Sequence, residues 1–412
     1  MDTSRQTRVH RKHPGPGPGF SLVELMISVV IGLLALLFAT RLVISGEANK
    51  DAAVGGGDSM QNGMLAMFQL SGDAAVAGWG LNDSTVAGCA AVFSDQRGYQ
   101  LLTVKRDGAD ITPLASVVIQ SNGANPDVIS FNSGSANAGV GSTLMKADYT
   151  GESFIKAAER SPYGYNPGDV LVVAPQAPDR PCTVMQLAGF NPANGRDDEM
   201  LLLGGSQYRY NPAASMVQNY RMNVTYLYNL GAPDQLHFHT WSVSNGVLLL
   251  RATDLAGAGA AGVSVADNIV SIKAQYGFDT RVMAGYDPNP SNNGKQLLPT
   301  ANGGMLVGAW SGAMLDADGD GSNGGLGDYQ RIAAVRIAVV ARSKTVEKPR
   351  PGGECTATTV LPTVFGTNAP SGVQAVPVQV NVAVAGDTLS WKCYRYRVFE
   401  TIVPIVNAQY RP

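Results

Sequence analysis

The sequence is poor in cysteine and in charge, and it has only one long apolar run. Four cysteines, Cys89, Cys182, Cys355 and Cys393, are spread over 412 residues. None forms a C-x-x-C pair, which argues against zinc-ribbon and thioredoxin-like chemistry. Charged residues make up 15% of the chain, and 30 Lys and Arg against 32 Asp and Glu leave a net charge of −2. That balance supplies no electrostatic footprint for bulk nucleic acid, so nucleic acid is not an expected partner. No repeat of fixed period runs through the chain, as a solenoid or propeller would require. No small-x-small cleavage site precedes Gly46, which argues against a removable secretory signal.

What the sequence does have is 45% hydrophobic residues, enough for a sizeable core, and 48 glycines, a profile of β-rich, loop-rich architecture. The one long apolar run, Phe20 to Thr40, would span roughly 31 Å as a helix, enough to cross a hydrocarbon core of about 30 Å. Ahead of it Arg5, Arg8, Arg11 and Lys12 face a single acid, Asp2. The positive-inside rule therefore holds residues 1–19 in the cytoplasm and sends the remainder across. Within the run stands one acid, Glu24. A charge deep in a bilayer costs about 2.5–3.5 kcal/mol on insertion scales, so Glu24 calls for a function unless it snorkels to the membrane edge.

The stretch "GFSLVEL" (Gly19–Leu25), with the basic leader before it and the apolar helix behind it, resembles the class III signal of type IV prepilins. The resemblance implies cleavage by prepilin peptidase after Gly19 and N-methylation of Phe20. It also implies that Glu24 pairs with a neighbouring subunit's N-terminus during assembly. The leader is rather long for the family. The helix-kinking proline of many major pilins is absent, with Arg41 in that region.

Past a membrane helix at 20–44, residues 45–78 read as a helical continuation on the exported side. Its "AVGGGDS" (Ala53–Ser59) predicts a break, because each glycine costs about 1 kcal/mol relative to alanine in a helix. Met60, Met64, Met67 and Phe68 then recur at helical spacing and are expected to pack on the chain's own sheet. From residue 79 to 412 the reading is a β-rich head. "YQLLTVKR", "SVVIQ", "DVISFN", "GDVLVVA", "NVTYLYN", "QLHFHT", "GVLLLRA", "IVSIKAQYGFD", "IAAVRIAVVAR" and "WKCYRYRVFETIV" read as strands between Gly/Asn/Pro/Asp clusters. "EKPRPGGE" (Glu347–Glu354) offers a soft boundary or long loop near 347–353.

Ordered pieces of the head, "QNG…GDAAVAGWG…GC", "VSIKAQYGFDT", "DADGDG…RIAAVRIAVVARS" and "CYRYRVFETIVPIVN", resemble the PilW family of large minor pilins. That resemblance implies an α+β, pilin-like fold: a long N-terminal transmembrane α-helix followed by a large β-rich globular head with Gly-rich loops. It implies a noncatalytic subunit that acts in priming pilus assembly and in the tip complex. The partners would be prepilin peptidase, other minor pilins, the major pilin, a tip adhesin and the inner-membrane assembly platform. The precursor would sit in the bacterial inner membrane through residues 20–44 with its head in the periplasm, and would later stand at the pilus tip. Two alternatives remain open: a large minor pseudopilin of a type II secretion system, and a membrane-anchored exported enzyme or receptor.

Several motifs could suggest other chemistry. "GAGAAG" (Gly257–Gly262) satisfies G-x-G-x-x-G but leads into a β-rich stretch in place of the crossover helix that a dinucleotide site needs. His237 and His239 share one strand face, with no third ligand evident nearby. "GRDDEM" (Gly195–Met200) reads as a solvated acidic turn, and "YRYRVF" (Tyr394–Phe399) as a half-wet strand. The cysteines lie on the exported side, where disulfides persist. Of three possible pairings, Cys355–Cys393, closing a C-terminal loop, and Cys89–Cys182 are expected.

No cofactor is required. A calcium ion is nonetheless suggested by "LDADGDGSNGGLGD" (Leu315–Asp328), where Asp316, Asp318 and Asp320 alternate before Gly321. The twelfth position of that loop, a glutamate in an EF-hand, is Gly327, with Asp328 following as a substitute ligand and Ser322 as a helper. An acidic surface loop that holds no ion is the competing reading.

Overall fold

The computed structural model describes residues 21–408 apart from 136–141, 159–163, 178–179, 192–195, 282–303, 348 and 350–351. The leader, Gly19 and Phe20 lie outside the described residues. The chain divides into two units, residues 1–54 and residues 55–412.

Helix α1 runs without interruption from Leu22 to Val76. Its segment Leu22–Val43 is long and apolar enough to cross a membrane. The break expected at Ala53–Ser59 does not occur. Extending an existing helix is far cheaper than nucleating one, and the turns from Ser59 onward are held by packing. Ser59 also donates its hydroxyl to the Gly56 carbonyl at 3.1 Å.

The expected packing stripe also needs correction. The buried face of α1 carries Ser59, Gly63, Ala66, Leu70 and Ala74, at spacings of four and three, and Ala77 follows just past its end. Met60, Met64 and Phe68 lie on the outside, with Phe68 72% exposed, while Met67 is partly buried. Small residues bring the helix axis near its sheet, and longer side chains at those positions would hold it away.

The C-terminal turns of α1 pack on a core shared by two antiparallel sheets. One has the strand order 263–267, 247–252, 237–244, 128–133, 117–120. The other has the order 309–311, 269–278, 332–342, 396–404. Ile332–Arg342 is central in its sheet and buried on both faces, which explains its near-continuous apolar run. One face meets the main core and the other a smaller cluster around Val364, Phe365 and Val380. Arg336 is buried in mid-strand, its guanidinium 4.8 Å from the Trp310 ring centroid and 4.6 Å from that of Phe365. A third sheet, in the order 113–114, 89–92, 182–186, 170–175, 225–231, 142–144, joins Cys89–Val92 and Cys182–Gln186 in parallel.

The segment 347–353, of which 348, 350 and 351 lie outside the described residues, falls inside the unit 55–412. The Glu347 N–H bonds to the Cys393 carbonyl at 2.8 Å, which ties that segment to the C-terminal strand. "YQLLTVKR" is strand only over Val104–Arg106. Tyr99, Leu101 and Leu102 are buried as irregular chain, with the Tyr99 hydroxyl 2.9 Å from that of Thr240. The acids of "GRDDEM" are in the strand Arg196–Leu201, not in a solvated turn. Glu199 is buried there and accepts from Asn191 at 2.9 Å.

Candidate functional site

Glu24 sits in the first turn of α1, and the chain around it is built to start a helix. Ser21 precedes Leu22, and its hydroxyl accepts from the Val23 N–H at 3.4 Å. The Glu24 carboxylate reaches back to the Ser21 N–H at 3.2 Å. This is a capping-box sequence, S-x-x-E, with the serine hydroxyl on the second helical N–H in place of the third, and it satisfies two of the orphan donors at a helix start. The positive end of the helix dipole favours the carboxylate further. The sequence signal for this role was there to be found: serine three residues before glutamate, at the head of an apolar run. Glu24 therefore has a structural use within its own chain, beside any partner it meets.

The structure pairs Cys89 with Cys182 and Cys355 with Cys393, so all four cysteines are in disulfides. The first bridges neighbouring parallel strands. The second fastens the segment after residue 353 to the approach of the Tyr396–Pro404 strand.

The acidic loop 315–328 folds around its own carboxylates. Asp316 accepts from the Gly319 N–H at 2.7 Å and the Gly321 N–H at 3.0 Å. Asp318 accepts from Asp320 at 3.2 Å, and Asp320 from Ser322 at 2.7 Å. Gly319 and Gly321 have φ of +80° and +90°, left-handed conformations that suit glycine. The chain then enters a short helix, Leu326–Gln330 (α2). Carboxylate oxygens of Asp316, Asp318 and Asp328 lie within 4.8 Å of one another, and Asp320 is not part of that group.

Two features decide how this loop differs from an EF-hand. Gly327 stands at the twelfth position because the Asp318 carboxylate occupies the space a side chain would need: a Cβ there would meet Asp318 Cγ at 2.6 Å. Asp328 is fully buried and accepts four backbone N–H groups, from Ala317 at 2.6 Å, Asp318 at 3.2 Å, Gly324 at 2.7 Å and Gly325 at 2.9 Å. A carboxylate has about four lone-pair directions, so those of Asp328 are taken up by the loop itself. Asp328 is an anchor for the loop, which narrows the ligand set expected for it. Burial pushes its carboxyl up to about 7, with the like charge of Asp318 adding to the rise against those backbone bonds. The donors left to a cation are hard oxygens of Asp316 and Asp318 together with backbone carbonyls, oxygen ligands of the kind Ca²⁺ takes.

Of the remaining motifs, Gly257–Gly262 leads into the strand Val263–Asp267. In "YRYRVF", Tyr394 is buried under the Arg342 guanidinium, 4.5 Å from its ring centroid. The strand Tyr396–Pro404 that follows forms the edge of its sheet. No family model matches the chain, and no curated protein or solved structure does either.

Proposed function

We propose that the protein is a noncatalytic minor pilin of a type IV pilus that primes assembly and joins the tip complex. One observation carries this reading: a single acid, Glu24, in the first turn of an apolar helix, five residues after the Gly19–Phe20 junction of a class III-like signal. The exposed Met60, Met64 and Phe68 beyond the apolar segment support it, because a helix-packed filament needs apolar surface on the outer face of that helix.

On this reading prepilin peptidase cuts after Gly19 and methylates Phe20. Residues 20–44 hold the precursor in the inner membrane with the head in the periplasm. Glu24 then exchanges its bond to Ser21 for the amine of a neighbouring subunit as minor pilins, major pilin and adhesin are extruded by the assembly platform. Calcium held by Asp316 and Asp318 would stiffen the loop that leads into the central Ile332–Arg342 strand. N-terminal mass spectrometry of the native protein tests the reading. A mature chain beginning at N-methylated Phe20 is expected, and an intact leader or a start near residue 46 would refute it.

A further inference from the structure

His237 and His239 lie two apart on one face of the strand His237–Ser244, and the fold brings two acids to them from other parts of the chain. Asp254 stands just past the end of the neighbouring strand, Val247–Ala252, whose Ala252 pairs with His239. Asp73 comes from the last turn of α1. The four side chains form one chain of contacts. Asp73 Oδ2 is 2.8 Å from His239 Nδ1, His239 Nε2 is 2.8 Å from Asp254 Oδ1, and Asp254 Oδ2 is 2.7 Å from His237 Nδ1. Trp241 Nε1 donates to the same Asp73 oxygen at 2.7 Å. Burial works against the charged form of the His239 ring, yet the carboxylates of Asp254 and Asp73 on either side push it up to about 9.

We propose that this cluster is a site for a divalent transition ion of the zinc class, ligated by His237 Nδ1, His239 Nε2 and the Asp254 carboxylate. One donor atom from each of the three lies within 4.8 Å of the others. Asp73 is the positioning residue. By accepting Nδ1–H of His239 it fixes the tautomer that presents Nε2 to a metal, the carboxylate–histidine–metal arrangement that recurs around zinc. Trp241 in turn fixes Asp73.

Imidazole nitrogen and carboxylate oxygen bind zinc at about 2.0–2.2 Å, which sets neighbouring donors of a tetrahedral ion roughly 3.4 Å apart. The present spacings of 2.7–2.8 Å must therefore open slightly. Asp254 stands in a bend beyond the strand end, where no ladder hydrogen bond fixes its position. Two carboxylates, Asp73 and Asp254, face the imidazoles, so a doubly charged ion that displaces the proton held by His239 and binds neutral rings leaves the group neutral. The donor set of two nitrogens and a carboxylate suits zinc, nickel or copper(II) better than calcium or magnesium. A recess of about 10 Å³, lined by Asp73, Phe131, Asn132, His237 and His239 but not by Asp254, lies beside the cluster. His237 is 48% exposed, which leaves a fourth coordination position open to solvent.

Zn²⁺ titrated into the full chain, purified in detergent and stripped with chelator, tests the site by calorimetry and native mass spectrometry. One equivalent should bind, and Co²⁺ in its place should give the strong visible absorption of a tetrahedral ion. His237→Ala, at a half-exposed position outside the core, should weaken Zn²⁺ at least about 100-fold with the far-ultraviolet spectrum unchanged. Asp73→Asn should weaken it roughly 10–100-fold while keeping the stoichiometry. Absence of Zn²⁺ binding at millimolar concentration, or wild-type affinity in His237→Ala, would overturn the proposal.

Discussion

Gly63 of α1 lies against the ring of Phe399: a Cβ on Gly63 would stand 2.6 Å from Phe399 Cδ2 and 2.8 Å from its Cζ. Helix and edge strand are as close as a bare backbone permits, and the helix face there consists of small residues for that reason. Gly63→Ala should therefore destabilise the head by about 1–3 kcal/mol, as overpacking does. Gly72, on the same helix, gives the control, because a Cβ added there would meet nothing within 4 Å. Gly72→Ala should stabilise by about 0.5–1 kcal/mol through helix propensity. Urea unfolding of the detergent-solubilised chain measures both, and equal effects at the two positions would contradict the close packing.

Glu24 can be divided experimentally into its two uses. Glu24→Gln keeps a side chain that can accept from the Ser21 N–H and so preserves the capping box. It removes the charge that an amine of a neighbouring subunit would need. If pairing drives assembly, Glu24→Gln and Glu24→Ala should both leave cleavage intact and both impair piliation. Recovery of normal piliation in Glu24→Gln, counted by electron microscopy, would assign the residue to capping alone.

The two disulfides close segments of different length, 93 residues apart for Cys89–Cys182 and 38 for Cys355–Cys393. The chain-entropy model gives about 4.6 and about 4 kcal/mol for them. Double Cys→Ser variants of either pair should lower the melting temperature, the longer loop by somewhat more. Non-reducing peptide mapping should recover only these two pairings.

The loop 315–328 separates anchoring from ion binding. Asp328→Asn puts a donor where the carboxylate accepts from backbone N–H groups, and leaving them unpaired should cost about 1–3 kcal/mol with or without calcium. Asp316→Ala/Asp318→Ala should instead abolish the rise in melting temperature caused by millimolar Ca²⁺. Calorimetry that detects no calcium binding to the full chain at that concentration would remove the ion from the proposal.

Strands whose apolar residues are dense or alternate, such as Ile269–Phe278 and Ile332–Arg342, were legible because burial on one or two faces writes itself directly into local pattern. The cysteine pairing was one choice among three, made from the closing of a C-terminal loop by Cys355 and Cys393, whereas the apolar helix was legible for a similarly local reason. The continuity of α1 through Gly55–Gly57 was not, since a helix propagated from both sides overrides a propensity counted in single residues. The Met60, Met64 and Phe68 stripe misled because hydrophobicity marks what can be buried, while the sheet here selects what is small enough to approach it. Asp73 and Asp254 carry no local signal beside His237 and His239, since they lie 166 and 15 residues from His239 in the chain. Only the pairing of strands and the docking of α1 bring them together.

The last turn of α1 is joined to the far end of the chain: Asn407 Nδ2 donates to the Val76 carbonyl at 3.0 Å, and Val403, Ile405 and Ala408 share a core with Ala66, Leu70 and Ala74. The segment from Val403 to Ala408 therefore latches onto α1 across a separation of 331 residues, from Val76 to Asn407. Its contacts have long sequence separation, and closing such loops is slow. On the proposed reading, the exported part of the chain must keep the small-residue face of α1 uncovered until the strand Tyr396–Pro404 has crossed as well. A nascent chain arrested before residue 396 should therefore remain open to protease along α1.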